Sequence, residues 1–490
     1  MSDKSKVIIV GAGIYGMSTA LWMLEEGGYD VTILDRAETL PAPDAASCDL
    51  NKVTTAPITS SGLGNLVIAT NDLRTPTADL LYPASAALRL CSSPPEQHSH
   101  KPLTRADHSR RRLRRPIPRS ACCRRGGPLA SGVIALAHPT MPGGQKFVSS
   151  AYTNCLSMGI SAQLVTSSSD IRAKFPGEVR TGSFGDRVGY ANPKGGWAEA
   201  GRATLVGLER VQKLGGKVLP GKEVVGMIKQ GREVRGVRVK GGEEIRGDLV
   251  VVCAGAWTPG LFALPEVKIK LPKIEATGQS LAILQLTPEE QVKYAQVPVI
   301  FNLDDGWYIF PPNADGLVKM AIHAPGYTNP IPLSSSGGED DIVSVPRTKL
   351  TPGAEDGMIP REMLARLRRG LAEVYPELQD REYVQTRLCW YCDTHTGDWL
   401  IDYHPDFDNL VVATGDSGHA FKYAPIIGRE ILRIIKREPI PEVGAKWSFG
   451  DRPTDDTGAD HRDGVRQVLR VEDLARAEDL KVPVGITVAA

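Results

Sequence analysis

The chain has 490 residues, room for two or three domains of about 100–200 residues each. Hydrophobic residues make up 41%, enough for a sizeable core, and 58 Lys and Arg against 57 Asp and Glu leave a net charge of +1. That balance gives no global reason to expect nucleic acid or an acidic membrane as partner, and no run of about 18 apolar residues is present to span a bilayer.

Val7–Val10 is a continuous apolar run of the kind a parallel strand buried on both faces requires. Gly11-Ala12-Gly13-Ile14-Tyr15-Gly16 follows, and Met17, Leu21 and Leu24 then share one face of a helix. Gly27-Gly28 stops that helix, and Val31–Leu34 is a second strand ending at Asp35. Residues 66–149 are irregular, rich in Pro and Ser, with a basic run over Arg110–Arg115 and no stable period. The patterning predicts helices at 168–176 and 197–213, alternating strands from 217 to 253, and strands again over 280–323. A Pro/Ser/Gly-rich loop covers 325–340, a helix 360–374 and a strand–loop–helix unit 410–437. The tail from about 450 is charged and weakly patterned.

Gly11, Gly13 and Gly16 stand as Gly-x-Gly-x-x-Gly between a strand and a helix, with Asp35 19 positions after Gly16. This context specifies a dinucleotide site. The first glycine allows the tight turn, the second lets backbone approach a pyrophosphate, and the third lets helix and strand pack closely. The helix N-terminus attracts the anion, and Asp35 accepts bonds from the ribose hydroxyls. The motif does not separate FAD from NAD, although Asp35 disfavours a 2′-phosphate. Eight cysteines, among them the adjacent Cys122 and Cys123, lack metal-ligand spacing, so no metal is expected and reduced thiols fit best. Met1–Lys6 has no apolar signal region and the last residues carry no peroxisomal tripeptide, so a cytoplasmic location is expected.

Five further segments carry a resemblance. They are Asp49-Leu50-Asn51-Lys52; Gly195 to Gly201; Cys253-Ala254-Gly255-Ala256-Trp257; Phe310-Pro311-Pro312 with Lys319 to His323; and Arg387-Leu388-Cys389-Trp390 with Ile401 to Pro405 and Gly415 to Lys422. In this order they resemble the sarcosine oxidase and fructosyl-amino-acid oxidase (amadoriase) family of FAD enzymes. The resemblance implies an α/β fold, with a Rossmann-like FAD-binding domain interleaved with a mixed β-sheet substrate domain. The first comprises residues 1–65, 188–262 and 385–440, the second 66–187 and 263–384, and 441–490 is a tail.

The same resemblance implies FAD joined through a thioether at Cys389. It places Gly11, Gly13, Ile14, Tyr15, Gly16, Asp35, Arg36, Asp49, Lys52, Val224, Ala254, Gly255 and Trp257 at the cofactor, with Asp416, Ser417, Gly418, His419, Ala420 and Lys422 from the last loop. Lys422 pairs with a substrate carboxylate, His419 stands near the flavin's pyrimidine end, and Lys52 adds positive charge to the substrate site. The family's oxygen-activating lysine falls at Thr277, with Lys273 nearby. Asp416, Ala420 and residues 66–149 depart from the family pattern.

The implied reaction moves a hydride from the carbon beside a secondary amine, in a carboxylate-bearing substrate, to the flavin, giving an imine; O₂ then yields hydrogen peroxide. Small-molecule amine and O₂ are the expected partners, without nucleic acid or membrane, and a monomer is the expected state. Rival readings are an NAD-linked dehydrogenase on the same fold, a nucleic-acid binder using Arg110–Arg115, and a catalytically impaired homologue.

Overall fold

The computed structural model describes residues 4–53, 129–333, 342–441, 443–450, 452 and 464–481; Arg110–Arg115 and most of the irregular stretch lie outside them. The apolar run of the first strand, Ser5–Val10, places it inside a six-stranded sheet. It pairs in parallel with Tyr29–Leu34 and with Leu249–Val252. Lys217–Leu219 and Leu410–Thr414 extend the two sides in parallel, and Leu400–Tyr403 finishes one edge antiparallel.

Alternate side chains of these strands serve two cores. Val7, Ile9, Val31 and Ile33 pack with the helix Ile14–Glu26 and the helices Ala200–Lys213 and Ile427–Ile435. Ile8, Val10, Val250 and Val252 pack instead with an antiparallel meander of Val224–Gln230, Glu233–Val239 and Glu244–Arg246. Helices meet closely on the first face, where a Cβ on Gly428 would lie 2.2 Å from the Ser18 backbone.

The second body is built on a mixed sheet whose spine is Ile274–Gln285. That strand pairs antiparallel with Tyr383–Thr394 along most of its length and with Leu317–Ile322 on its other edge. The sheet continues through Trp307–Ile309, Val299–Asn302, Val133–Ala137, Val188–Asn192 and Gln163–Val165. Leu364, Leu367 and Leu371 of the helix Arg361–Val374 cover it against Trp307 and Met320.

Several expectations change. Regular structure starts inside the stretch read as irregular, 66–149: Val133–Ala137 is a fully buried strand, too short and too uniformly apolar to show a period. The helix expected over 197–213 begins at Ala200, because Gly196–Ala198 pairs with Lys52–Val53 and Leu129–Ala130. The one at 168–176 stops at Arg172. A capped helix, Pro288–Tyr294, interrupts the strands of 280–323. The stretches 188–262 and 385–440 do not belong wholly with the dinucleotide sheet, since Val188–Asn192 and Tyr383–Thr394 take their hydrogen bonds from the mixed sheet. The tail also contributes: Gln467–Val468 pairs in parallel with Tyr327–Thr328, and Leu469, Leu474 and Ala475 enter the core.

Arg187 holds three segments of the mixed-sheet body together, pairing with Asp304 at 3.0 Å, Asp305 at 2.9 Å and Glu373 at 2.5 Å. Its side chain is 9% exposed, so replacing it strands acids that have lost their counter-charge. Arg187→Met is expected to cost about 3 kcal/mol in denaturant unfolding; a loss below 1 kcal/mol would assign the cluster to ordinary surface pairing.

Candidate active site

The glycine turn is held by contacts that leave no room for side chains. Gly11 has φ +110°, and a Cβ there would lie 2.3 Å from the Cys253 carbonyl oxygen. A Cβ on Gly16 would lie 2.0 Å from the Gly11 carbonyl oxygen. Asp35 locks the second strand to this turn: Oδ2 accepts from Ala12 N–H at 2.8 Å and Oδ1 from Ala37 N–H at 3.0 Å. Burial raises its pKa against those two bonds.

A cavity of about 350 Å³ opens from this turn. Gly11, Gly13, Ile14, Tyr15, Asp35, Arg36, Val224, Ala254, Gly255 and Trp257 line it at the sheet, and Lys52, Asp416, Gly418 and Ala420 further along. The Arg36 guanidinium lies 4.2 Å from the Trp257 ring centroid and pairs with Asp44. Tyr15 OH is buried without a partner among the described residues. Asp416 accepts from Cys392 N–H at 3.0 Å and Gly418 N–H at 3.2 Å, and burial pushes its pKa up to about 6.

Six residues expected at the cofactor do not line this cavity. Gly16 sits behind the turn and serves its packing. Ser417 has φ +45° and stitches its loop to the long strand, donating N–H to Cys392 O at 3.0 Å and accepting from Thr394 N–H at 3.3 Å. The His419 ring bonds Gly397 O at 2.9 Å through Nε2 and stacks on Trp399. Lys422 is half-buried, has no carboxylate partner among the described residues, and lies 5.6 Å from the Tyr423 ring. Burial lowers its pKa to about 8. Cys389 is 3% exposed and lies 3.7 Å from Lys52 Nζ, just behind Trp390 and Tyr391, which do line the cavity.

Asp49 is the sixth, and its position shows what sequence reasoning missed. Its side chain is 2% exposed and both oxygens are taken. Oδ2 accepts from Lys319 at 2.7 Å and Lys52 at 3.1 Å; Oδ1 accepts from Arg387 at 3.0 Å and Leu50 N–H at 2.9 Å. Burial alone would raise its pKa, but Lys319, Lys52 and Arg387 hold it well below the usual carboxylate range. Lys319 also donates to Asn51 O at 2.6 Å and stands 4.7 Å from the Phe310 ring; burial brings its pKa down to about 8 against the pull of Asp49. Burial opposes charge on Lys52 too, yet Cys389 and Asp49 raise its pKa.

Lys319 and Arg387 were visible only as letters in matched segments. The available signal was a lysine inside Leu317-Val318-Lys319-Met320-Ala321-Ile322, where both neighbours point to a core and a buried charge needs a partner. Thr277, expected where a lysine belongs, is buried and donates to Asp393. Lys319 is the fully buried lysine beside Asp49.

The profile of a family described as FAD dependent oxidoreductase (DAO) matches residues 6–434. The chain belongs to this FAD dependent oxidoreductase family. L-saccharopine oxidase of Schizosaccharomyces pombe is 27% identical over 460 residues, covering 90% of this chain and 92% of the relative. Fructosamine oxidase (Amadoriase II) of Aspergillus fumigatus has a TM-score of 0.72 at 25% identity, with 97% of each chain covered. The fold is shared with fructosyl peptide oxidase from E. terrenum, at a TM-score of 0.76 and 24% identity over 96% of this chain and 97% of the other. The protein is thus an FAD-dependent oxidase acting on CH–NH groups with oxygen as acceptor. Its residues fit that cofactor. The crevice over Gly11 and Gly13 admits no side chain, the helix beginning at Ile14 has no acid in its first turn, and the orphaned Tyr15 hydroxyl awaits a polar neighbour.

Gly16→Ala forces a Cβ into backbone that cannot yield. The variant is expected to purify with well under half the wild-type flavin per chain by absorbance; full occupancy would mean that the turn relaxes freely.

Proposed function

We propose that the protein oxidises a secondary amine built from an amino acid and carrying at least one carboxylate, with FAD held covalently at Cys389. The observation that carries the reading is the cluster around Asp49. Three cations share one carboxylate there, leaving excess positive charge in a buried wall beside Cys389. Unpaired buried charge is costly, so the arrangement is suited to an anionic substrate and to negative charge developing during turnover. A relative matching nearly the whole chain is an L-saccharopine oxidase, which favours an N-substituted amino acid with more than one carboxylate.

FAD, when bound, supplies the hydride acceptor for the carbon beside the amine nitrogen, and oxygen takes the electrons on to hydrogen peroxide. The chain's own residues bind, orient and enclose. Lys422, free of any acid among the described residues, moves its ammonium onto the substrate carboxylate and fixes the amine's approach. Tyr391 and Trp390 wall the crevice and exclude water. No side chain is needed as a base when the amine binds neutral. Lys319 provides the fixed buried cation that favours negative charge on oxygen, the part that Thr277 cannot play. Lys52, 3.7 Å from the Cys389 sulfur, places a cation beside the atom that would carry the thioether.

The test is anaerobic mixing of the purified protein with candidate amines, reading bleaching of the flavin band. An N-substituted amino acid should bleach it with no nicotinamide reduced; failure of all carboxylate-bearing amines would end the proposal. Acid precipitation should leave flavin on wild-type protein and release it from Cys389→Ala.

Lys422→Met is expected to raise KM by roughly thirtyfold, the loss of a charge-assisted bond of about 2 kcal/mol, with a smaller change in kcat. Because the ammonium is charged below its pKa of about 8, wild-type carboxylate binding should weaken as pH rises through 8. The variant should lose that limb of the profile, and an unchanged limb would remove Lys422 from the role. Lys319→Met should slow reoxidation by oxygen about a hundredfold in stopped flow while flavin reduction changes far less. Equal loss in both half-reactions would make Lys319 a structural counter-ion.

A further inference from the structure

A second cavity, of about 240 Å³, lies next to the cofactor crevice and shares with it, among the described residues, Asp44 alone. Two of its lining residues each carry a buried polar atom with no partner among the described residues. The Asp44 side chain is 2% exposed. Its Oδ2 accepts from Arg36 and from Thr348 Oγ1 at 2.9 Å, while Oδ1 has no partner among the described residues. Arg387 sends Nη2 to Asp49 Oδ1 at 3.0 Å, and its Nη1 is buried and unpartnered among the same residues. Native structures rarely leave such groups unsatisfied. One water needs only about 10–15 Å³ of space, so the cavity has room for a larger guest.

The lining defines that guest's chemistry. Asp44 Oδ1 can only accept, so it calls for an N–H or O–H, best one that is positively charged. Arg387 Nη1 can only donate, so it calls for an anionic oxygen. Arg347 and Lys349 also line the cavity and add positive charge, and Asp356 adds a second carboxylate.

We propose that this cavity binds a free α-amino acid as its zwitterion, the carboxylate on Arg387 and the ammonium on Asp44. The proposal rests on the oxidase reading for its meaning. Hydrolysis of the imine adds water across the C=N bond and divides the oxidised substrate into a carbonyl compound and a primary amine. For an N-substituted amino acid oxidised on its substituent, that amine is itself a free amino acid. The cavity therefore receives the class of molecule that the reaction releases. Its effect travels through one side chain. A carboxylate on Nη1 draws the Arg387 charge away from Asp49, and Asp49 anchors Lys52 and Lys319. Amino-acid binding and the charge of the oxidation site are coupled, and the coupling is reciprocal.

The test uses the purified holoenzyme, titrated with glycine or glutamate and followed by the flavin spectrum and by initial rates with an amine that bleaches it. Saturable inhibition that is non-competitive with the amine is expected. Acetate alone or methylamine alone should be at least about tenfold weaker, because each satisfies one of the two orphaned groups. Ala354→Leu, which fills the second cavity away from the cofactor, should weaken the amino acid about tenfold and leave turnover of the amine unchanged. Competitive inhibition that survives Ala354→Leu would place the amino acid in the oxidation site and overturn the proposal. So would acetate matching glycine, which would reduce the cavity to an anion site, or no saturable effect at millimolar concentrations, which would leave it to solvent. The wild-type inhibition pattern decides the matter even where the variant folds poorly. Bleaching by the amine is read separately, so failure of the oxidase reading and failure of this one are told apart.

Discussion

One buried carboxylate carries the architecture of the site. Asp49 belongs to the short loop that leads out of the dinucleotide sheet, while Lys319 and Arg387 belong to two strands of the mixed sheet. Removing a charge from such a cluster leaves uncompensated partners in a dry interior, a loss of about 3–5 kcal/mol for a buried pair. The two sheets are thereby tied beside the cofactor crevice, and Lys52, the next cation in the loop, is held 3.7 Å from Cys389 by the same carboxylate.

The long strand Tyr383–Thr394 is the second link. Along its length it pairs with the spine of the mixed sheet, yet it also delivers Trp390 and Tyr391 to the cofactor crevice, with Cys389 beside them. There the loop after Leu410–Thr414 takes over its free backbone groups, through Asp416 Oδ1, Ser417 N–H and Ser417 Oγ. A residue at positive φ is the cost of that fit, and Ser417 adopts it in place of a glycine. Gly418 is needed beside it, since a Cβ there would lie 2.4 Å from the Tyr391 ring. Movement of either segment is therefore felt by the other, and the second cavity, walled by Arg387 and Leu388 of the same strand, lies within reach of that coupling.

The charge excess also organises the chemistry by sign. The dinucleotide end of the crevice offers the glycine turn and Asp35, suited to phosphates and ribose, while Lys52 lines the far end and shares its carboxylate with the enclosed Lys319. Lys319 and Lys422 both have burial-lowered pKa values of about 8, for different reasons. Lys319 is fully enclosed and sustained by Asp49; Lys422 is desolvated without any acid nearby among the described residues. The first suits a fixed field, the second a cation that is best satisfied by a ligand.

The amino-acid sequence by itself determined the dinucleotide unit, because a strand, a glycine turn and a following helix are local objects whose period and turn residues are readable within forty positions. Gly11, Gly13, Asp35 and the helix stop at Gly27-Gly28 stand where local sterics put them. It also determined the family, since the segments from Asp49 to Lys422 keep their order along the chain. The tertiary structure alone decided which charges meet. Asp49 and Lys319 are 270 positions apart and Asp49 and Arg387 338 apart, and no periodicity relates them. It alone turned the His419 imidazole onto Gly397, recruited part of the charged tail into the core, and left Asp44 and Arg387 each with an unused bond among the described residues. Local backbone preference is written in neighbouring residues, whereas the pairing of buried charges depends on which strands the whole fold brings side by side.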